Sequence, residues 1–386
     1  MIVTHVSLRD YRNYAEAELS LSPGPTLFVG SNGQGKTNLV EAIGYLSSLR
    51  SHRVSSDAAL IRQGADFAVI RARIEHAGRQ ISAEVQLNRS GANRAQLNRS
   101  PVKMRELPRY FSSVLFAPED LALVRGEPAG RRRYLDELLA LLSPRLLGVI
   151  ADYDRVLRQR NTLLKSARAS RVRGTGLSTL EVWDERLVEI GSDLIAARSE
   201  LVAELLPRVQ GAYRLIAGED HAVGLTEYRS ILSRHPDDDD SLDGIPSDQA
   251  MISAAEARAV FQRTLDAVRG KELERGVSLV GPHRDDLVMA LNGLPARGYA
   301  SHGESWSLAL ALKLAAAETL RNGSGGGDPV LILDDVFAEL DERRRGRLST
   351  AMDGFEQVLV TAAVPGDVPE GLRQHMVAIE AGRILD

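Results

Sequence analysis

Two short motifs near opposite ends of this chain belong to one piece of chemistry, and the need to bring them together constrains the fold more than any other feature. The first is Gly30-Ser31-Asn32-Gly33-Gln34-Gly35-Lys36-Thr37, which matches the pattern G-x-x-x-x-G-K-[ST]. It follows a short apolar run, Thr26 to Val29, and precedes Asn38 to Leu49, whose apolar residues recur at helical spacing. Glycines let such a loop curl so that successive N–H groups point at phosphate oxygens, and the helix N-terminus adds the positive end of a dipole. Lys36 is then expected to reach the β- and γ-phosphates of a nucleotide, and the Thr37 hydroxyl to ligate Mg²⁺. Lysine is rare here, with only five against 33 glycines, so a chance match is improbable.

The second motif is Val330-Leu331-Ile332-Leu333-Asp334-Asp335. An apolar run ending in carboxylates reads as a buried parallel strand that delivers acids at its C-terminal edge. Asp334 is expected to hold the metal shell, and Asp335 to polarise the attacking water as general base. Lys36 and Asp334 lie 298 positions apart (334 minus 36), yet both must reach one Mg²⁺. The expected fold is therefore α/β: a P-loop ATPase head built from both chain ends, with an inserted, mainly helical lobe. That split resembles the ABC-type heads of the SMC-like group.

The intervening residues agree. Residues 2–8 and 17–21 alternate as strands do, and Phe67 to Glu75 with Gln80 to Leu87 reads as a hairpin around Ala77-Gly78. From Arg131 to about Ala217 apolar residues recur at i, i+3 and i+4, predicting amphipathic helices broken at Pro144, Gly174-Thr175-Gly176 and Pro207. The run Asp237 to Asp240 predicts a solvated loop, since adjacent like charges lack metal-ligand spacing. Strands resume from Val277. A helix is expected from about Ser305 to Arg321, followed by a glycine linker at Gly323 to Gly327. The predicted division is residues 1–115 and 272–386 for the head, and 116–271 for the lobe.

Composition narrows the class. There are no cysteines, which excludes disulfides and thiolate chemistry. Charge arrives early, at Arg9, Asp10 and Arg12, and no window holds 18 consecutive apolar residues. A cytoplasmic protein with no membrane partner is expected. The net charge of −4 means that DNA binding would need a local basic surface.

Further segments resemble the RecF family almost end to end. Leu8-Arg9-Asp10-Tyr11-Arg12-Asn13-Tyr14, Phe116-Ala117-Pro118-Glu119-Asp120, Arg131-Arg132-Arg133-Tyr134-Leu135-Asp136, Gly281-Pro282-His283-Arg284-Asp285-Asp286 and Asp334-Asp335-Val336-Phe337-Ala338-Glu339-Leu340-Asp341 follow that family's blocks in order. The resemblance implies an ATP-gated homodimer that clamps duplex or gapped DNA, using ATP and Mg²⁺, with RecR and RecO as partners in loading recombinase at single-strand gaps. By the same resemblance Arg12 and Asn13 approach the nucleotide.

Ser301-His302-Gly303-Glu304-Ser305 occupies the place of the ABC signature, with Glu304 where the family carries glutamine. Ser301 and the Gly303 amide precede a predicted helix and so form an anion site; by resemblance it meets the γ-phosphate held by the other subunit. Asp335 in place of glutamate, and Thr361 where a switch histidine would stand, point to slow hydrolysis stimulated by DNA. Arg131, Arg132 and Arg133 are candidates for DNA phosphates, with a solvated helix start as the alternative. Gly281 to Asp286 reads equally as a functional loop or as a structural turn with a buried ion pair. An SMC-like tether would need a far longer coiled coil, and an ABC transporter subunit would carry a shorter gap between its motifs and a complete signature.

Overall fold

The computed structural model describes residues 1–170, 178–218, 221–233, 250–323 and 327–385. The expected break at Gly174-Thr175-Gly176, the run Asp237 to Asp240 and residues 324–326 of the glycine linker lie outside the described residues. The chain forms two compact units. One comprises Met1–Leu121, Gly211–Asp220 and His302–Asp386, and the other Ala122–Gln210 and His221–Ser301.

The elements begin with β1 (Ile2–Tyr11), β2 (Tyr14–Ser20), β3 (Gly24–Val29), α1 (Lys36–Ser48), β4 (Phe67–His76), β5 (Arg79–Asn88), β6 (Arg94–Leu97), β7 (Ser100–Val102) and β8 (Ser113–Phe116). Then come α2 (Leu121–Arg125), α3 (Pro128–Leu142), α4 (Pro144–Ser170), α5 (Ser178–Ala217), β9 (Val223–Tyr228), α6 (Ala254–Arg275), β10 (Asp286–Leu291), β11 (Leu294–Pro295) and α7 (Ala296–Tyr299). The last group is α8 (His302–Asn322), β12 (Val330–Asp334), α9 (Glu342–Met352), β13 (Gln357–Ala362), β14 (His375–Glu380) and β15 (Arg383–Leu385).

The first unit, the head, has two six-stranded sheets. One runs β2-β1-β4-β5-β6-β7 and is antiparallel; the other runs β15-β14-β3-β13-β12-β8 and is parallel apart from the β14–β15 pair. Every residue of β12 and β13 is buried, which explains the apolar runs at residues 330–333 and 358–360 within them. Helix α1 packs Leu39, Val40, Ile43 and Leu46 into one core with Phe28, Ile332 and Leu359 of the parallel sheet and Leu8, Ile70 and Val85 of the antiparallel one. Buried Gln357 ties the chain ends together: Nε2 donates to the Val3 and Ser22 carbonyls at 2.8 and 3.1 Å, and Oε1 accepts from the Val3 amide at 2.8 Å. The β4–β5 hairpin turns at Ala77-Gly78, both with positive φ (49° and 72°), as a tight two-residue turn requires.

The second unit, the lobe, holds α2 to α4, α5 as far as Gln210, α6 and the antiparallel sheet β11-β10-β9. Two details depart from expectation. Pro207 lies inside α5 rather than ending it. A proline there costs about 3 kcal/mol, and burial of flanking Leu205 and Val209 offsets it. The later boundary falls at residue 301 rather than 271, because β10 pairs along its length with β9, from Asp286↔Tyr228 to Leu291↔Val223. Strand β8 stays with the head through its parallel pairing to β12.

Candidate functional site

Strand β3 delivers the chain to the glycine loop, and α1 begins at Lys36. Gly35 has φ +121°, and a Cβ there would sit 2.8–3.0 Å from the side chains of Asn13 and Tyr14, so only glycine fits. Neighbours hold the loop's outward groups. Asn13 Nδ2 donates to the Gln34 carbonyl at 2.9 Å and the Tyr14 hydroxyl to the Gly35 carbonyl at 3.0 Å. The Ala381 amide donates to Gln34 Oε1 at 2.6 Å, and the Gly382 amide to the Gln34 carbonyl at 2.8 Å. Ser31, Asn32 and Gly33 are exposed, whereas Lys36 is buried, with Nζ donating to the Gly30 and Ser31 carbonyls at 2.8 and 3.2 Å.

The motifs from the two chain ends meet. Thr37 Oγ1 donates to Asp334 Oδ1 at 2.9 Å across 297 positions of sequence. The sheet order explains it: β13 lies between β3 and β12, and all three run parallel, so the loop after β3 and the acids ending β12 share one sheet edge. Ligands of open α/β sheets bind at such carboxyl ends. Thr361, ending β13, donates Oγ1 to the same Asp334 oxygen at 2.7 Å and accepts from the Asp335 amide at 2.9 Å. Asp335 has φ 51°, a left-handed conformation costing on the order of 1–3 kcal/mol for such a residue. Burial, then the neighbouring Asp334 charge, pushes the Asp335 carboxyl above its ordinary value, against the pull of Lys36. A carboxylate so placed accepts a proton more readily than an exposed one.

The donor set fits Mg²⁺. The Thr37 hydroxyl and Asp334 carboxylate are hard oxygen donors, and a site with few protein ligands leaves room for phosphate oxygens and water, as that ion prefers. Among the described residues no group of three or more His, Cys, Asp or Glu could hold a metal, so the alternative of an all-protein cage has no support there.

Sequence reasoning missed two side chains. The first is buried Glu41 of α1, which Arg12, the residue expected at the nucleotide, grips in a forked ion pair through Nε and Nη2 at 2.9 Å each. Asn13 contacts the loop backbone. Glu41 was legible as an acid inside the apolar run Leu39-Val40-Glu41-Ala42-Ile43, where an unpaired charge would be costly. The other is His52, whose ring nitrogen Nε2 lies 3.8 Å from Asp334 Oδ2. A cavity of about 570 Å³ opens beside the loop, bounded in part by Arg12, Asn13, Asn38, Arg53, Gln63 and Arg89.

At the signature segment, Ser301 is exposed and Gly303 lies in the first turn of α8. A Cβ on Gly303 would stand 3.1 Å from the Arg344 guanidinium. Arg344 in turn pairs with Asp341 at 2.6 Å, and Asp341 caps α9 by accepting from the Arg344 amide at 2.9 Å. Gly303 of the signature segment and Asp341 thus lie against the same arginine.

The lobe motifs are internal. Arg131 is 3% exposed and grips Asp286 with two bonds of 2.7 and 2.8 Å. Arg132 is half-buried and donates to the Asp285 carbonyl at 2.7 Å, leaving Arg133 as the exposed member of the run. Of the three candidates for DNA phosphates, Arg131 is ruled out, and the solvated helix start fails for it too: it is spent on a buried ion pair. Asp285 accepts from the Ser230 amide and hydroxyl, both at 2.8 Å, and His283 Nδ1 lies 2.7 Å from the Tyr153 hydroxyl. Of the two readings of Gly281 to Asp286, the buried ion pair is what the structure contains.

A family model, the RecF/RecN/SMC N terminal domain, matches residues 2–381. The chain belongs to the RecF family. It is 63% identical over 388 residues to the DNA replication and repair protein RecF of Clavibacter michiganensis subsp. michiganensis, covering 100% of this chain and 96% of the relative. It is 62% identical to the RecF of Leifsonia xyli subsp. xyli, covering 100% of both chains. Among solved structures, that of the recombination mediator protein RecF-ATP in the RecFOR pathway superposes with a TM-score of 0.87 at 27% identity, covering 99% of this chain and 96% of the other. An SMC head bound to the C-winged helix domain of ScpA shares the fold at a TM-score of 0.53 and 12% identity. This chain therefore shares its fold with SMC heads as well as with RecF. No helix among the described residues is long and apolar enough to cross a membrane.

Proposed function

We propose that this chain is an ATP-gated, DNA-binding mediator of recombinational repair that works as a homodimer, each ATP held by one subunit and covered by the signature of the other. The observation that supports it most is the Thr37–Asp334 hydrogen bond, which assembles a phosphate loop and a metal carboxylate from opposite chain ends. The near-complete superposition on RecF-ATP supports ATP as the ligand.

In this reading the loop amides of residues 30–35 and Lys36 hold the β- and γ-phosphates, and Thr37 with Asp334 hold Mg²⁺. The ion supplies charge neutralisation at the phosphates. Asp335 takes the proton of the attacking water, its raised proton affinity and fixed left-handed backbone aiming the carboxylate. Thr361 holds Asp334 and the Asp335 backbone in register but offers no titrating group near neutrality, so turnover is slow; stimulation by DNA is a separate part of this proposal, expected by membership of the family. Ser301 and the Gly303 amide face the partner's γ-phosphate, and its loss on hydrolysis lets the subunits part. The cavity bounded by Arg12, Asn13 and Arg53 has room for the nucleoside. Arg133 of α3 contributes a DNA phosphate contact. RecO and RecR are the expected partners, and single-strand gaps the expected sites, by membership of the family.

The test is fluorescence anisotropy of a gapped duplex with ATP, ADP or no nucleotide. Tight binding is expected with ATP alone, and Asp335→Asn should hold DNA for as long as ATP is present, because the closed state cannot discharge. Equal affinity in all three nucleotide states would reject the gating mechanism.

A further inference from the structure

The loop after α1 carries a side chain aimed at the metal carboxylate that the reaction as described does not use. His52 is 16% exposed at its side chain, and its Nε2 is buried with no hydrogen-bond partner. An unpaired buried polar atom is costly and needs a reason. Its nearest acidic neighbour is Asp334 Oδ2 at 3.8 Å, a gap too narrow for a water and closed to hydrogen-bond length by a small side-chain shift. The other oxygen, Oδ1, already accepts from both Thr37 and Thr361. The two threonines fix one side of the carboxylate, and His52 faces the other.

The loop that presents His52 is rigidly held. Ser51 Oγ donates to Glu41 Oε1 at 2.5 Å and accepts from the amides of Arg53 and Val54, each at 3.0 Å. Arg53 Nη1 donates to Asn38 Oδ1 at 3.0 Å. Glu41 is the carboxylate gripped by Arg12. A continuous set of bonds thus runs from the β1–β2 turn through Glu41 and Ser51 to the residue beside Asp334, and both Arg12 and Arg53 border the cavity next to the loop.

We infer that His52 is a positioning residue for Mg²⁺. Acting through Asp334, its Nε2–H closes on the second carboxylate oxygen when the ion is bound and holds it in the orientation that binds the ion, and the Arg12–Glu41–Ser51 relay ties that orientation to the cavity. Partners of this outer kind change metal affinity by roughly 10- to 100-fold when removed. The inference rests on Asp334 as the magnesium ligand.

The experiment is binding of a fluorescent ATP analogue to the full-length protein, titrated with Mg²⁺ and repeated in EDTA, for wild type, His52→Phe, His52→Gln and Asp334→Asn. His52→Phe keeps ring volume but removes the donor; His52→Gln restores an amide N–H near the position of Nε2. The expected result is a Mg²⁺ midpoint raised about tenfold in His52→Phe and returned most of the way in His52→Gln. Affinity in EDTA should not change, and the nucleotide-free melting temperature should not fall. A wild-type midpoint in His52→Phe would overturn the inference, as would an equal loss with and without Mg²⁺. If Asp334→Asn also kept the wild-type midpoint, the magnesium assignment itself would fall, and this inference with it.

Discussion

The head and the lobe each contain a conspicuous charged motif, and the two have opposite fates. In the lobe the charges close on one another. Arg131 is matched to Asp286, Arg198 to Asp136 and the Pro282 carbonyl, and fully buried Arg160 to Asp184, Glu272 and Ser278 at 2.5–2.7 Å. In the head, Asp335 is held in a left-handed conformation, and the buried His52 Nε2, 3.8 Å from Asp334 Oδ2, has no hydrogen-bond partner among the described residues. A charged motif whose partners are all internal fixes a fold. One with spare valence in a rigid frame is kept for a ligand.

Breaking the lobe should give the largest effect. Arg160→Met leaves buried Glu272 without its cation and Asp184 with only Arg269, 3.7 Å away, and loss of one partner of a buried ion pair costs about 3–5 kcal/mol. Urea unfolding should show that loss, while ATP affinity of the folded fraction stays near wild type. Lys36→Ala should do the reverse. Nucleotide affinity is expected to fall by about 2–5 kcal/mol, tenfold for each 1.4 kcal/mol, with nucleotide-free stability changed by about 1 kcal/mol. If both substitutions cost stability alone, the contrast between the regions would dissolve.

A smaller effect sharpens the contrast through pH. Burial raises the Asp285 carboxyl from 3.8 to about 6, so within that window the folded state holds a proton the unfolded state has released, and stability falls as pH rises. Burial lowers His283 from 6.5 to about 3, so between those values stability falls as pH drops. Between pH 4 and 6 the two slopes oppose each other at about 1.4 kcal/mol per pH unit each. Asp285→Asn removes one, and its stability should decline on acidification more steeply than wild type by about one proton. Parallel pH profiles of the urea midpoint would show that Asp285 does not carry the buried charge assigned to it.

The phosphate loop, the Asp334-Asp335 strand and assembly from both chain ends were legible because each depends on local pattern plus one chemical requirement. The hairpin at Ala77-Gly78 was legible for the same reason. Arg12, Glu41 and His52 were less so. Their roles depend on which side chains converge from separate elements: Arg12 lies 29 positions from Glu41, and nothing local says that a charged turn faces an acid within a helix rather than a ligand. The lobe boundary at 301 was hidden similarly, since strand pairing between β9 and β10 joins segments separated by the whole of α6. Arg131 could not be told from its neighbours Arg132 and Arg133 until helix α3 set which face was buried.

Light scattering of the protein with saturating ATP and Mg²⁺, with ADP and Mg²⁺, and without nucleotide, each with and without gapped duplex, tests the shared-ATP arrangement most directly. The account predicts twice the monomer mass with ATP, stabilised by DNA and by Asp335→Asn, and a single chain with ADP or with Lys36→Ala. A mass that stays monomeric at saturating ATP and DNA, or a dimer indifferent to nucleotide, would contradict it.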